Sequence, residues 1–574
     1  MPTVAESIVE ALAGLGVTTV WGVVGDALNP VTDAIRREDR VEWIGTRHEE
    51  VAAFAAGAQS QLTGTLGVCM GTVGPGSIHL LNGLYDAKKS RTPVLALCGQ
   101  VPLAEVGSDF FQEVDNDALF SDVAVFCETV TSPEQMPWLL ERAIQGALEH
   151  RGVAVLTLPG DVGAMDIAKD ASAAHFVTTP PPGPADPEAV RRAAQLLDGA
   201  GAVTLLIGMG AREARADVLA LADRLAAPMV LTLKAKEGLE HDNPFQVGQT
   251  GLIGNPAARR ALDDADAVLM LGTDFPYRDW YPKGKSVVQV DARAEHIGRR
   301  TSVEVGVVGD AGAVARELLG LVSAREDRSH LDKARERYAD WHGRQLRLVD
   351  NEGEGAGLIE RARGVFENPD HRIRPEALAA AVDAIAADDA IFTSDTGMST
   401  VWLSRFVELR GTRRLLGSYN LGSMANAMPQ ALGAQALDRT RQVVAFCGDG
   451  GLTMLLGDLI TAVSHDLPVR FVVFDNGRLG MVKLEQEQGG LPEFGTELKN
   501  PDLAAVARAI GLHGVRVETP DQLQAGVREA FAAAGPSLLD VVTNPDEVAV
   551  PGKVHPGEAW GFAIAKARET LESR

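Results

Sequence analysis

Short apolar runs recur along the chain, and glycine follows several of them within two residues. Val203–Ile207, Val268–Leu271 and Val443–Phe446 are almost entirely apolar, which is typical of strands buried on both faces of a parallel sheet. Longer helical patterns lie between such runs, for example at Pro375–Ala387 and Leu452–Ser464. This repeated order of strand, glycine and helix predicts an α/β fold made of doubly wound parallel sheets.

Two segments have the composition of linkers. Residues 178–187, TTPPPGPADP, are too rich in proline for regular structure. Residues 350–357, DNEGEGAG, combine glycine with charge after a strongly charged helical stretch. In a chain of 574 residues these segments predict three doubly wound domains, at 1–178, 188–345 and 358–574.

The overall charge is strongly negative. Asp and Glu number 78 against 54 Lys and Arg, a net charge of −24, which argues against a nucleic-acid partner because phosphate backbones need a basic face. The N-terminal segment MPTVAESIVEAL predicts an amphipathic helix and lacks the basic start of a signal peptide. None of the four cysteines forms a CxxC pair, so we expect buried thiols in a cytoplasmic protein.

Polar residues directly follow two apolar runs of the last third. One run leads into Gly448–Gly451, GDGG, and the next leads into Asp475 and Asn476, so Asp449 and Asn476 lie 27 residues apart. The carboxyl ends of parallel strands meet at one edge of a sheet. Side-chain oxygens there suit a hard divalent cation, and glycines let the backbone approach a diphosphate. A bare GDG triplet is more often only a tight turn, but the second strand-end residue favours a cation–diphosphate site.

A second candidate site lies in the first third, at Arg47–Glu50, RHEE. Such a run is usually a solvated charged face. Here an almost entirely apolar segment, AAFAAGA, follows it, and a carboxylate at the mouth of a buried helix lies in a perturbed environment. The segment is therefore a candidate for acid–base chemistry.

These segments resemble the thiamine-diphosphate enzymes of the acetolactate synthase and pyruvate oxidase group. The resemblance covers nearly the whole chain, and it is strongest to bacterial flavin-dependent enzymes that oxidise pyruvate and reduce a quinone. It runs through TRHEEVAAFAAGA, VGQTGLIG, LGTDFPYR, RRLLGSYN and GSMANAMPQALGAQ. It implies a pyrimidine-binding, an FAD-binding and a diphosphate-binding domain in that order, and the cofactors thiamine diphosphate, Mg²⁺ and FAD.

By this resemblance, some residues have roles in the chemistry. Glu49 would hydrogen-bond the aminopyrimidine ring of thiamine diphosphate and activate the cofactor. Phe111 and Gln112 match an active-site segment, and Glu485 matches a position near the substrate. For Glu485, an exposed charge is an equally good interpretation.

The resemblance also implies the cofactor contacts of the C-terminal domain. Asp449 and Asn476, with the carbonyl of Arg478, would bind Mg²⁺. Asp475 stands where the family usually has Asn, and Met481 stands where relatives often have an aromatic residue. The thiamine-diphosphate contacts would come from Gly422, Ser423, Met424, Asp449, Gly450, Gly451, Asn476, Gly477, Arg478, Leu479, Gly480, Met481 and Val482.

The middle third carries the segments that imply FAD. Gly208–Ala211 starts like a nucleotide fingerprint, but GxG alone is weak because Glu213 stands where a third glycine is expected. By resemblance, FAD would contact Thr250, Gly251, Leu252, Ile253, Thr273, Asp274, Phe275, Pro276, Tyr277 and Asp291. Asp291 ends an apolar run, so its carboxylate could accept a ribose hydroxyl. Turn chemistry alone is the alternative interpretation.

The implied reaction is oxidative decarboxylation of pyruvate to acetate and CO₂, with electrons passing through FAD to a quinone. Three alternatives stay open. One is an oxidase that uses O₂ and phosphate, another is an acetolactate-forming carboligase with a structural FAD, and the third is a non-catalytic protein of the same fold. The resemblance further implies a homotetramer with active sites shared between subunits. Because the sequence ends at Ala565–Arg574 without a longer amphipathic tail, we expect at most peripheral contact with the inner face of the cell membrane.

Overall fold

The computed structural model describes residues 1–167, 183–349 and 371–547. Within them the chain forms three sheets, each of six parallel strands, with helices on the faces. The predicted α/β fold of parallel sheets is confirmed. Residues 178–182 and 350–357 of the expected linkers, the expected boundaries at 178 and 358, and the segment Ala565–Arg574 lie outside the described residues. No helix of the described ranges is long and apolar enough to cross a membrane.

The N-terminal sheet has the strand order β2-β1-β3-β4-β6-β5. Its strands are β1 Thr19–Gly22, β2 Glu42–Gly45, β3 Gly67–Gly71, β4 Val94–Gln100, β5 Ala124–Thr129 and β6 Val153–Pro159. Its helices are Val4–Gly14, Asn29–Arg36, Glu49–Thr63, Pro75–His79, Leu81–Ser90, Asn116–Leu119 and Met136–His150. Strands β3, β4 and β6 are buried along their whole length, as expected for strands covered on both faces.

The central sheet has the order β12-β11-β10-β7-β8-β9. Its strands are β7 Val203–Ile207, β8 Met229–Leu231, β9 Gln246–Gln249, β10 Ala267–Leu271, β11 Ser286–Asp291 and β12 Val305–Val308. Its helices are Pro187–Gly199, Arg215–Arg224, Lys236–Leu239, Pro256–Asp264, Ala311–Leu321 and Ser329–Leu348. Numbered within the domain and read from β9, the order is 3-2-1-4-5-6, the arrangement of dinucleotide-binding folds, with its switch point between β7 and β10.

The C-terminal sheet has the order β14-β13-β15-β16-β18-β17, which repeats the topology of the N-terminal sheet. Its strands are β13 Ile391–Ser394, β14 Arg414–Gly417, β15 Val443–Gly448, β16 Arg470–Asp475, β17 His513–Val517 and β18 Ser537–Val542. Its helices are Pro375–Ile385, Met398–Phe406, Ala427–Leu437, Asp449–Met454, Leu459–Ser464, Gly480–Gln488, Leu503–Ile510 and Leu523–Ala532.

The two domains of like topology share one hydrophobic core. Helix Glu49–Thr63 lies against helix Ala427–Leu437, and apolar residues of both sheets join a single buried cluster. At Gly433 the helices come so close that a Cβ atom would collide with the carbonyl of Ala55. This contact joins the first and last thirds of the chain over an apolar interface.

The prediction of one helix over Leu452–Ser464 was wrong. The helix begins earlier, at Asp449, and ends at Met454. A short 3₁₀ turn at Leu456–Asp458 then separates it from helix Leu459–Ser464. Gly457 is a poor helix former, and the side chain of Asp458 turns away to bind the N-terminal domain.

Candidate active site

Strands β15 and β16 end side by side, with Gly448 opposite Phe474 in the register. A cavity of about 260 Å³ opens at this carboxyl edge. Most C-terminal residues implied by the resemblance line it: Gly422, Met424, Asp449, Gly450, Gly451, Asn476, Arg478, Leu479, Gly480, Met481, Val482 and Glu485. Ser423 and Gly477 do not line it. The expected meeting of Asp449 and Asn476 at one strand edge is therefore present in the fold.

The carboxylate of Asp449 is held by donors on both oxygens. Oδ1 accepts from the amide of Gly450 (2.9 Å), and Oδ2 accepts from the amide of Gly477 (2.8 Å) and from Nδ2 of Asn500 (2.7 Å). Burial, followed by the nearby Asp475 carboxylate, raises the pKa of Asp449 to about 7. A divalent cation would offset both effects, because it supplies positive charge where two acids lie close together. The donor set therefore fits a Mg²⁺ site.

The neighbouring groups are arranged around Asp449. Asn476 Oδ1 accepts from the amide of Arg478 (3.0 Å), and the guanidinium of Arg478 pairs with Glu493 (2.5 Å). A guanidinium is a cation and offers no acceptor atom, so the carbonyl is the only group of Arg478 that could bind a metal.

The glycines of GDGG are required by close neighbours. A Cβ on Gly450 would collide with Leu479, and one on Gly451 would collide with Asp395. Asp395 was missed by the sequence reasoning. Asp395 directly follows β13 and belongs to none of the motifs named above. It is fully buried, and burial raises its pKa to about 7. Its Oδ1 accepts from the amide of Ala427 (2.9 Å), which ties β13 to helix Ala427–Leu437.

Glu49 is the first residue of its helix and is 7% exposed. His48 caps this helix, because its Nδ1 accepts from the amide of Glu50 (3.2 Å). Nδ1 of His79 lies 3.0 Å from Glu49 Oε2, and the rings of His48 and His79 stack with centroids 4.4 Å apart. The expectation of an acid at the mouth of a buried helix agrees with this geometry. His79 was missed, because only folding brings it to Glu49.

Phe111 and Gln112 lie on an exposed loop of the same domain. Phe111 is 78% exposed, and Gln112 adopts a left-handed backbone conformation (φ 68°) close against Gly74. The lining of the cavity comes only from residues 375 to 547, so Glu49, Phe111 and Gln112 do not line it within one chain.

One hydrogen bond links the entrance of the Glu49 helix to the segment that follows GDGG. The buried carboxylate of Asp458 accepts from the amide of Arg47 (2.7 Å) and from the hydroxyl of Thr461 (2.9 Å). Arg47 lies two residues before Glu49. The C-terminal domain thus sets the position at which the N-terminal helix starts.

The central domain places its candidate segments at the carboxyl ends of its strands. Gly208, Gly210 and Gly272 meet at the switch point between β7 and β10, where any Cβ would collide with the facing backbone. Beside β9, the buried Nε2 of Gln249 and the buried Oγ1 of Thr250 have no partner among the described residues. Unpartnered buried polar atoms are costly unless a ligand satisfies them. This edge fits a dinucleotide.

Two acids of the FAD set are already engaged. Asp291 Oδ1 accepts from the amide of Arg293 (3.0 Å) and lies 2.9 Å from Nδ1 of His296. Asp274 pairs with Arg299, and it also lies 3.3 Å from Arg300 and 3.6 Å from Arg91. The remaining members lie in two strand-end loops. The loop after β9 holds Gly251, Leu252 and Ile253, and the loop after β10 holds Thr273, Phe275, Pro276 and Tyr277.

The central domain also faces the cavity of the C-terminal domain. Burial, followed by the charge of the cavity-lining Glu485, raises the pKa of Tyr277 in the loop after β10. Ile253 packs against the apolar core that also contacts Met481. The two candidate sites therefore adjoin within one chain.

Comparison with known proteins agrees with this arrangement. The N-terminal TPP binding domain of thiamine pyrophosphate (thiamine diphosphate) enzymes matches residues 2–119, the central domain matches 190–318, and the C-terminal TPP binding domain matches 395–541.

Three relatives match over nearly their whole length. The putative thiamine pyrophosphate-containing protein YdaP of Bacillus subtilis is 37% identical over 100% of this chain and 97% of its own. The pyruvate oxidase of Lactiplantibacillus plantarum is 33% identical over 94% and 88%. The acetolactate synthase isozyme 1 large subunit of Escherichia coli is 30% identical over 97% and 96%. The chain therefore belongs to the thiamine-diphosphate-dependent enzymes related to pyruvate oxidase and acetolactate synthase.

Proposed function

We propose that this enzyme oxidises pyruvate and water to acetate and CO₂, and that the two electrons and two protons released pass through FAD to a quinone. The observation that carries this proposal is the packing of Ile253, in the loop after β9 of the central domain, against the C-terminal core that also contacts the cavity-lining Met481. A flavin on the strand ends of the central domain would lie next to the substrate cavity. The unpartnered atoms of Gln249 and Thr250 and the 3-2-1-4-5-6 strand order support FAD on that edge.

In this proposal the C-terminal domain holds the metal and the diphosphate. Asp449 and Asn476 side-chain oxygens and the Arg478 carbonyl would bind Mg²⁺, and the backbone of Gly450 and Gly451 would lie along the diphosphate. Thiamine diphosphate supplies a carbon nucleophile for the keto group and an electron sink for the loss of CO₂. Met424 and Met481 supply apolar surface on the cavity wall.

The N-terminal domain handles the proton. Glu49 is nearly buried at a helix start, and its Oε2 shares a hydrogen bond with Nδ1 of His79. The carboxylate can take a proton at Oε1 or Oε2, while the stacked His48 and His79 rings keep it oriented. Gly76 leaves space beside the other oxygen of the Glu49 carboxylate. A Cβ atom at this glycine would lie 3.3 Å from Glu49 Oε1.

We further propose that each active site is built by two chains of a homodimer and that two dimers form a tetramer. Glu49 does not line the cavity of its own chain. Large apolar side chains are exposed on both halves: Val24, Phe110 and Phe111 of the N-terminal domain, and Met454, Leu491 and Phe494 of the C-terminal domain. Exposed apolar surface of this kind is typical of an interface.

We place the protein in the cytoplasm, with at most peripheral membrane contact and without a nucleic-acid partner. The net charge of −24 supports this, because anionic lipid and nucleic acid both select basic surfaces. Electron delivery to a quinone would then take place at the membrane surface.

The test is anaerobic. Protein with Mg²⁺, thiamine diphosphate and FAD receives pyruvate while the flavin absorbance is followed, and then receives a soluble quinone. We expect the flavin to bleach, acetate to form and the quinone to restore the colour. A flavin that stays oxidised while acetolactate accumulates would identify a carboligase. In a separate aerobic reaction with phosphate, the formation of acetyl phosphate would identify an oxidase instead.

A further inference from the structure

We propose that Asp475 determines how tightly the GDGG clamp, the proposed metal site of Asp449, Asn476 and the carbonyl of Arg478, binds its divalent cation, although Asp475 is not itself a ligand. This inference rests on the metal site of the proposed function. Asp475 ends β16, directly before Asn476, and is 7% exposed. Its carboxylate is a second negative charge placed beside Asp449.

Asn500 joins the two acids. Its Nδ2 donates to Asp449 Oδ2 (2.7 Å) and to Asp475 Oδ1 (2.7 Å). Both hydrogens of one amide group are thereby used, and the two carboxylates are held on the same nitrogen. The bridge limits the movement of Asp449 and keeps Asp475 at short range from any cation that Asp449 binds.

The positive charge facing Asp475 is shared with other acids. Arg516 Nη1 lies 3.7 Å from Asp475 Oδ2, but the same guanidinium pairs with the fully buried Asp540 and with Glu518 (2.8 Å). One cation therefore serves three carboxylates. The described surroundings of Asp449 carry surplus negative charge, and a divalent cation is its complement.

Two substitutions separate charge from geometry. Asp475→Asn removes the charge but keeps an oxygen that can accept from Asn500. Asp475→Glu keeps the charge. Glu518→Gln is the matched control, because it removes one negative charge from the far side of Arg516, where the side chain is 62% exposed.

The measurement is a Mn²⁺ titration of the protein with thiamine diphosphate, in which electron paramagnetic resonance reports free Mn²⁺. We expect Asp475→Asn to bind Mn²⁺ about tenfold more weakly, since one charge is lost at short range in a partly buried site. We expect Asp475→Glu to recover most of the affinity and Glu518→Gln to stay within about twofold of the wild type, because exposed charges are screened. Asp475→Ser replaces the asparagine variant if the latter does not fold.

Unchanged affinity in a folded Asp475→Asn protein would overturn the inference and leave the metal site intact. A second result would overturn the proposed metal site itself. If the wild-type protein binds no more Mn²⁺ than free thiamine diphosphate does, the clamp does not hold a cation, and the proposed function loses its metal.

Discussion

The GDGG clamp and the Glu49 helix are built in opposite ways. At the clamp, Asp449, Asn476 and Asn500 find hydrogen-bond partners inside one domain, and a cavity already exists around them. At the Glu49 helix, the acid is oriented by His79, the preceding amide of Arg47 donates to Asp458 of the C-terminal domain, and Glu49 does not line that cavity. The metal-holding residues are therefore organised within one domain, whereas our proposal brings Glu49 to them from a second chain.

The largest expected effect comes from Glu49→Gln. The substitution keeps the size of the side chain and removes its acid–base function, so we expect flavin reduction by pyruvate to slow by roughly 10²- to 10⁴-fold. Mn²⁺ affinity should not change, because the clamp lies apart from Glu49. Glu50→Gln is the matched control and should retain activity. Equal losses in both variants would mean that the local charge, and not Glu49 itself, is needed.

Complementation tests the division between chains directly. Glu49→Gln and Asp449→Ala proteins are each expected to be inactive. When they are co-expressed, each mixed dimer has one site made of two intact halves, so we expect about a quarter of the wild-type activity. The measurement is activity of the purified mixture against each parent. An inactive mixture that contains mixed dimers would place Glu49 and the clamp of one chain in the same site.

The link between the two regions within a chain is tested by Asp458→Ala. The substitution leaves the amide of Arg47 without its acceptor, which costs about 0.5–1.5 kcal/mol in stability and loosens the start of the Glu49 helix. We expect a roughly tenfold slower flavin reduction, which corresponds to an activation free energy that is higher by about 1.4 kcal/mol. Amide hydrogen exchange at residues 47–49 should accelerate in the apoprotein.

Asp458→Asn is the control for that prediction, since its side-chain oxygen can still accept from Arg47. Slow amide exchange and normal turnover in this variant would assign the effect to the hydrogen bond. If the alanine variant exchanges no faster than the wild type at these amides, Asp458 does not position the helix.

The smallest expected effect on activity concerns Asp86 of the N-terminal domain. Its carboxylate accepts hydrogen bonds from Ser418 (2.7 Å) and Gln430 (3.1 Å) of the C-terminal domain. Burial raises its pKa from 3.8 to about 6. The folded state holds this proton more tightly than the unfolded chain, so stability decreases as the pH rises from about 4 to about 6. Asp86→Asn should therefore add about 3 kcal/mol in stability at pH 7.5 and nothing below pH 4. Urea unfolding at both pH values measures this. An equal effect at both would exclude titration as the cause.

Residues close to a strand end could be predicted well from the sequence. Val203–Ile207 forms a strand over the predicted residues, and Asp449 and Asn476 meet because adjacent parallel strands end at one edge. The helix break after Met454 was not predicted, because the partner that draws Asp458 aside is Arg47, 411 residues earlier in the chain. His79 and Asn500 were missed for the same reason, since their partners are 25 or more residues away in sequence.

The order of residues alone determined the parallel α/β sheets, the candidate clamp and the candidate segment Arg47–Glu50, because hydrophobic periodicity and strand-end residues are local properties, and the resemblance then singled out Glu49 within that segment. Tertiary structure alone decided which groups hold these residues. It placed Asn500 between Asp449 and Asp475, His79 on Glu49, and Asp458 on the amide of Arg47. Such contacts join segments that are distant in sequence, and their distances depend on how sheets and helices pack, which no local pattern encodes.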